Sequence, residues 1–188
     1  MMKPKWLYVG AVAAALLQSG VLYAGIERRA SILRSGREIV LQTEPVDPRD
    51  LMRGDYVALG YDISSVMRKD IAGKPEGDSR TVYVAVKPDA NGIWRFSRAA
   101  FRPFDDLAAD EVQLRGRSAY PISDETDAKI WLTFGIERYY VPEGQGHPIE
   151  DSERAHRITA VVAVNAAGTA VLKALREDGR QLYEEPLY

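Results

Sequence analysis

Ile158-Thr-Ala-Val-Val-Ala-Val-Asn-Ala-Ala-Gly-Thr-Ala-Val-Leu-Lys-Ala-Leu-Arg176 is the stretch that decides the fold class. Ile158, Ala160, Val162 and Val164 recur at every second position, the period of a strand with one buried face. Thr169–Arg176 reads as a second strand. Asn165-Ala-Ala-Gly168 between them carries the chemistry of a hairpin turn: an Asn that can bond nearby backbone, and a Gly that accepts positive φ.

The same period extends backward over the chain. Arg37–Thr43 is a first candidate strand. Val57, Leu59, Tyr61 and Ile63 line a second, and Val82, Val84 and Val86 a third. Trp94 and Phe96 fall on one side of a fourth, and Val112 and Leu114 mark a fifth. Ile130, Leu132, Phe134 and Ile136 make a sixth. Asn91-Gly92, Asp178-Gly179 and Lys87-Pro88 are turn signals. About eight short strands with such turns predict a mainly β domain, an antiparallel sandwich or barrel. One short helix is expected at Pro148–Arg157 and another at Phe104–Asp110, while residues 68–79 read as a polar loop.

Ahead of this domain, Trp6 to Ile26 contains no charged residue. As a helix it is ~31 Å long, enough to cross a bilayer core. Tyr8 and Tyr23 stand near its ends, where aromatic belts form. Helical spacing continues through Ile26, Ala30 and Leu33, with Gly36 as the stop. The expected division is therefore a membrane anchor with a helical extension over residues 1–36 and a soluble β-rich domain over 37–188. A cleaved signal peptide and a buried core helix are the alternatives. Leu22 at the −3 position before Ala24 fits a cleavage site poorly.

Charge supports the division. Residues 1–36 hold five basic residues and one acid, against 20 basic and 26 acidic groups in the remainder. An acidic domain has no electrostatic footprint for nucleic acid. The basic excess sits where lipid headgroups would meet it. Lys3 and Lys5 precede the helix, and Arg28, Arg29, Arg34 and Arg37 follow it, so the count of positive charge is nearly balanced. The export-like start favours the N-terminus inside and the domain outside. Cysteine is absent, which removes disulfides, thiolate metal sites and a Cys nucleophile.

Two segments stand out. One is Glu44-Pro-Val-Asp-Pro-Arg-Asp-Leu-Met-Arg-Gly-Asp-Tyr-Val-Ala-Leu-Gly-Tyr61. The other is Phe134-Gly-Ile-Glu-Arg-Tyr-Tyr-Val-Pro-Glu-Gly-Gln-Gly-His-Pro-Ile-Glu150. In the first, Gly54-Asp55-Tyr56-Val57-Ala58-Leu59-Gly60-Tyr61 resembles, at every fixed position, the pattern of the GDYXXLXY family of bacterial proteins. The second segment and Gly168-Thr-Ala-Val-Leu-Lys173 fit the same family in order. The resemblance implies a membrane-anchored envelope protein, often accompanying a multi-spanning membrane protein. It implies no activity and carries over no functional residue.

Several sharper readings compete with bland ones. A type I signal peptidase also sets a Gly-Asp turn before a strand, but the nucleophile position falls on Val46, which has no nucleophilic atom. Asp47, Asp50 and Asp55 match no calcium loop. His147, Glu150, Glu153 and His156 lack metalloprotease spacing and instead suit the charges of a helix's two ends. Glu137 and Glu143 flank Tyr139-Tyr140, the residue types of glycoside hydrolysis, without a sign of their separation. The expectation is a protein without metal or cofactor, its enzymatic status open and leaning to none. It would act by contact with an integral membrane protein. The candidate surface is Arg53, Asp55, Tyr56, Tyr61, Glu137, Tyr140, Glu143, His147 and Glu150. The alternative is a small-ligand or envelope-polymer binding domain with weak hydrolase activity. Its mark would be one concave pocket shared by Arg53, Asp55, Tyr61, Glu137 and Glu143.

Overall fold

The computed structural model describes residues 4–44, 56–140 and 157–184. Among the described residues, one helix, α1 (Pro4–Ser35), is followed by strands and two single 3-10 turns. The strands are β1 (Arg37–Glu44), β2 (Tyr56–Ala58), β3 (Gly60–Tyr61), β4 (Ser65–Met67), β5 (Ile71–Ala72), β6 (Thr81–Pro88) and β7 (Trp94–Ala100). They continue as β8 (Val112–Arg117), β9 (Lys129–Trp131), β10 (Arg138–Tyr140), β11 (Ile158–Val164), β12 (Ala170–Glu177) and β13 (Arg180–Glu184).

A five-stranded sheet has the order β13-β12-β11-β1-β3, and a four-stranded sheet the order β5-β7-β6-β8. Two ribbons, β10-β2 and β4-β9, complete the domain. The sheets are not closed, so the barrel expectation gives way to open sheets sharing one core. Ile39 and Leu41 of β1, Val82, Val84 and Val86 of β6, Leu114 of β8, Ile158 and Val162 of β11 and Leu175 of β12 all belong to that core.

The β11–β12 hairpin is buried on both faces. Ile158, Ala160, Val162 and Val164 point to the core as the alternation requires. Val161 and Ala163 should face water, yet they are buried too. The reason is α1. Its last turns lay Ile32 and Leu33 on Ala163 and Val171. Burying two such side chains contributes about 1.5–3 kcal/mol each. At Val161/Val162 the register shifts by one residue and leaves Lys173 unpaired in the ladder; its ammonium pairs with Glu38.

The hairpin tip ties the two sheets together. Asn165 Oδ1 accepts from the N–H groups of Ala167 and Thr169 at 3.1 and 2.9 Å, and Gly168 has φ +79°. The Gly168 carbonyl then accepts the Arg115 N–H of β8 at 2.8 Å. A turn legible in sequence as a local device thus also joins one sheet to the other.

Four further expectations are corrected. The sixth strand is interrupted: β9 ends at Trp131, Thr133 bridges Arg117 instead, and Gly135 at φ +83° bends the chain before β10; its four apolar residues are nevertheless all buried. Phe104–Asp110 is bends and turns, not helix. Residues 68–79 are not simply a polar loop: Arg68–Asp70 is a 3-10 turn, and β5 pairs parallel with β7. Arg68 is buried there, donating to the carbonyls of Ile71 and Gly73 at 3.0 and 2.9 Å. Phe96, two residues along β7 from the buried Trp94, is 37% exposed. The helix expected at Pro148–Arg157 falls almost wholly outside the described residues.

Gly36 does stop α1, for a reason of space. Its N–H donates to the Ile32 carbonyl at 2.7 Å, and an added Cβ would lie 2.6 Å from that oxygen and 3.0 Å from the Val164 nitrogen. Gly36→Ala should lower unfolding free energy by about 1–3 kcal/mol. Gly25→Ala, whose methyl would meet nothing within 4 Å, should change it by less than about 0.5 kcal/mol. Denaturant unfolding in detergent, followed by near-UV circular dichroism, measures both.

Candidate functional site

The two distinctive segments meet. β2 and β10 pair antiparallel with Ala58 opposite Arg138, Val57 opposite Tyr139 and Tyr56 opposite Tyr140. Leu59 N–H adds a bond to the Glu137 carbonyl at 2.9 Å. One step further, the buried Tyr61 hydroxyl donates to the Ile136 carbonyl at 2.8 Å. The alternation Val57, Leu59, Tyr61 puts all three in the core. Because Tyr56 and Tyr140 are partners, the chain enters β2 and leaves β10 at the same end of the ribbon.

Glu137 holds the turn between β9 and β10. One carboxylate oxygen accepts the Phe134 N–H and the other accepts the Gly135 N–H at 2.9 Å. Those two amides would otherwise be left over where Gly135 bends the chain. A carboxylate used in this way positions backbone, and one acceptor site on each of its oxygens is engaged there.

Beside this turn lies a cleft of about 670 Å³. Glu137, Arg138 and Tyr139 line one side, Leu172 of β12 and Tyr183 of β13 another, and Arg29 of α1 a third. The Tyr139 and Tyr183 rings approach to 4.9 Å between centroids, tilted by 59°. Guanidinium groups beside phenols recognise anions that carry some apolar body. Among the described residues no group of three His, Asp or Glu side chains is placed to hold a metal ion.

The sequence-based candidates distribute unevenly. Glu137 lines the cleft. Tyr61, only 2% exposed, lies in the core and does not line it, so those two candidates do not share a concavity. Tyr56 and Tyr140 end the ribbon as partners. Arg53, Asp55, Glu143, His147 and Glu150 lie outside the described residues. The metal readings on Asp47, Asp50 and Asp55 and on His147, Glu150, Glu153 and His156 lie there too. Sequence reasoning missed Arg29, Arg138 and Tyr183 as neighbours. Arg138 stood inside a segment already singled out, and Arg29 counted only as headgroup charge. For Tyr183 there was no signal.

A second polar cluster serves the fold. Arg98 donates to both oxygens of Asp106 at 3.0 Å and to Glu111 at 2.8 Å. Its guanidinium sits 4.4 Å from the centre of the Phe104 ring. The Arg98 hydrogen bonds hold both carboxyls below their usual range and raise the guanidinium's own pKa. The two carboxyls bind protons less readily folded than unfolded. Their stabilisation is therefore full above the unfolded value, about pH 4, and is lost as pH falls through the lower folded value. Glu111→Gln should lower the melting temperature at neutral pH, with the gap to wild type closing as pH falls to about 3; thermal scans across pH measure it. Tyr61→Phe should cost about 1–3 kcal/mol by orphaning the Ile136 carbonyl. Tyr120→Phe, at a hydroxyl 79% exposed as a residue, should cost less than about 0.5 kcal/mol in the same unfolding assay.

No curated protein and no solved structure matches the chain. A family model described as GDYXXLXY protein matches residues 18–175. The match begins inside α1 and ends in β12, so it includes the helix root, the β2/β10 ribbon and the two-faced hairpin. On that match over most of its length, the chain belongs to the GDYXXLXY family.

Proposed function

We propose that this protein is a single-pass inner-membrane protein of bacteria whose β-rich domain stands in the periplasm and contacts an integral membrane protein. α1 carries the reading. It is long and apolar enough to cross a membrane. Its apolar side chains from Tyr8 to Ile26 are 59–73% exposed, which removes the alternative of a core helix. Apolar surface of that extent is unfavourable in water and favourable in lipid. The far end of the same helix is packed into the domain through Ile32 and Leu33. Anchor and sheet are therefore one packed unit, which would hold the domain at a set attitude to the bilayer.

The contact surface in this reading is the end of the β2/β10 ribbon, where Tyr56 faces Tyr140. The proposal adds the adjoining segments Asp47–Asp55 and Pro142–His147, with Arg53, Asp55, Glu143, His147 and Glu150 as contact residues. Tyrosines suit such a role because each offers apolar area with a polar tip. The 670 Å³ cleft supports small-ligand binding as a second reading. Hydrolysis gains no support from it, since Glu137 is committed to two amides.

A photoreactive phenylalanine placed at Tyr56 or Tyr140 of the full chain in cells should crosslink to one integral membrane protein, and the same probe at Tyr120 should not. The chain should also stay in the membrane pellet after alkaline carbonate extraction. Release into the supernatant, or equal crosslinking at all three positions, would overturn the reading.

A further inference from the structure

We propose that the outer face of the four-stranded sheet binds the phosphate group of a small soluble phosphomonoester at Arg115 and Arg117. The site goes beyond the membrane reading above and does not depend on it.

The sheet builds the site. β6 and β8 pair antiparallel, with Tyr83 opposite Arg115 and Thr81 opposite Arg117. Val82, Val84 and Leu114 alternate with these residues and are wholly buried in the core. The period of two therefore sets Thr81, Tyr83, Arg115 and Arg117 together on the opposite face. Exposure agrees: both arginines are exposed, and Thr81 and Tyr83 are half-buried. The arginines stand about 6.6 Å apart along one strand, each with a hydroxyl-bearing neighbour about 5 Å across the ladder. All four residues line one cleft of about 590 Å³, together with Phe101 and Pro103. Phe101 is held there by the buried Arg68, whose guanidinium lies 5.0 Å from the centre of its ring. The volume falls in the range of about 300–1,000 Å³ that small-molecule sites occupy.

The donor set selects the ligand. A single guanidinium already satisfies the two oxygens of a carboxylate, whereas two guanidinium groups flanked by two hydroxyls suit a group with more acceptors. A phosphate monoester has three terminal oxygens and carries about −1.5 to −2 charge near pH 7. Elsewhere in the domain, Arg68, Arg95, Arg98 and Lys173 each meet a carboxylate. The Arg115 and Arg117 side chains make no ion pair or hydrogen bond among the described residues. Two like charges thus stand as neighbours on one strand, and a bound anion relieves their repulsion. Phe101 and Pro103 supply apolar wall for the organic part of the ester. The face belongs to the four-stranded sheet, whereas α1 packs on the β11–β12 hairpin of the five-stranded one. That placement favours a soluble ester over a phosphate carried by a lipid.

Isothermal titration calorimetry of the full chain in maltoside micelles at low salt provides the test, with phenyl phosphate as the probe. One phenyl phosphate should bind per chain, about fivefold more tightly than inorganic phosphate and about tenfold more tightly than benzoate. Arg115→Gln and Arg117→Gln should each weaken it about tenfold, and Arg115→Lys should weaken it less than Arg115→Gln. Lys87→Gln, near the other end of β6, should leave it unchanged, and unchanged circular dichroism certifies each fold. On wild type alone, saturating phenyl phosphate should protect Arg115 and Arg117 from phenylglyoxal, as read by peptide mass spectrometry. Absence of binding at millimolar probe, equal affinity for benzoate, or binding unaffected by both substitutions overturns the proposal, as does failure of protection at the two arginines. Equal affinity for inorganic phosphate would remove the ester from the assignment and overturn it. Displacement of phenyl phosphate by equimolar phosphatidic acid in the micelles would make the occupant a lipid and overturn it likewise.

Discussion

Burial of both faces of the Ile158–Glu177 hairpin is the constraint from which the architecture follows. One face closes the common core with β1 and, through the core, with the four-stranded sheet. The other face receives the end of α1. A strand with one buried face alternates, but here Ala160 through Val164 is an unbroken buried run, as expected where both faces are covered. The hairpin tip then bonds β8 through Gly168 and Arg115. A single supersecondary unit thus joins the helix to the five-stranded sheet and that sheet to its neighbour.

This arrangement gives the helix two solvents. Its last turns are packed on protein, whereas the stretch through Ile26 has its apolar side chains exposed. The change falls where charge appears, at Glu27 and Arg28, and Glu27 is ion-paired with Arg34, about two turns further along the same face. The 670 Å³ cleft sits at that same junction, with Arg29 as its helical wall. The turn that shapes its other wall is built by Gly135 and closed by Glu137. The two distinctive segments of the sequence therefore meet in backbone pairing and in turn-closing bonds. Their buried members, Val57, Leu59, Tyr61 and Ile136, are core.

The contrast between Arg68 and Glu137 shows where sequence reasoning stops. Both are charged residues in stretches that read as polar or as candidate chemistry. In the structure, both satisfy backbone. Arg68 holds the carbonyls of Ile71 and Gly73, and Glu137 holds the amides of Phe134 and Gly135. Nothing in a charged residue's identity says whether it will meet solvent, a ligand or an orphaned peptide group, because the partner is set by where a turn happens to bend.

Local physics was legible from sequence alone. The uncharged run to Ile26, the stop at Gly36, the period-two strands and the Asn165–Gly168 turn depend on neighbours within a few residues, through backbone geometry and the pattern of apolar side chains. Tertiary structure alone decided the rest. It set the pairing of Tyr56 with Tyr140, the burial of Ala163 beneath Leu33, the break of the Ile130–Ile136 strand after Trp131, and the meeting of Arg29 with Arg138 and Tyr183. Those contacts join residues far apart in the chain. Which distant partners meet depends on the packing of whole faces against one another, and no short stretch contains that information.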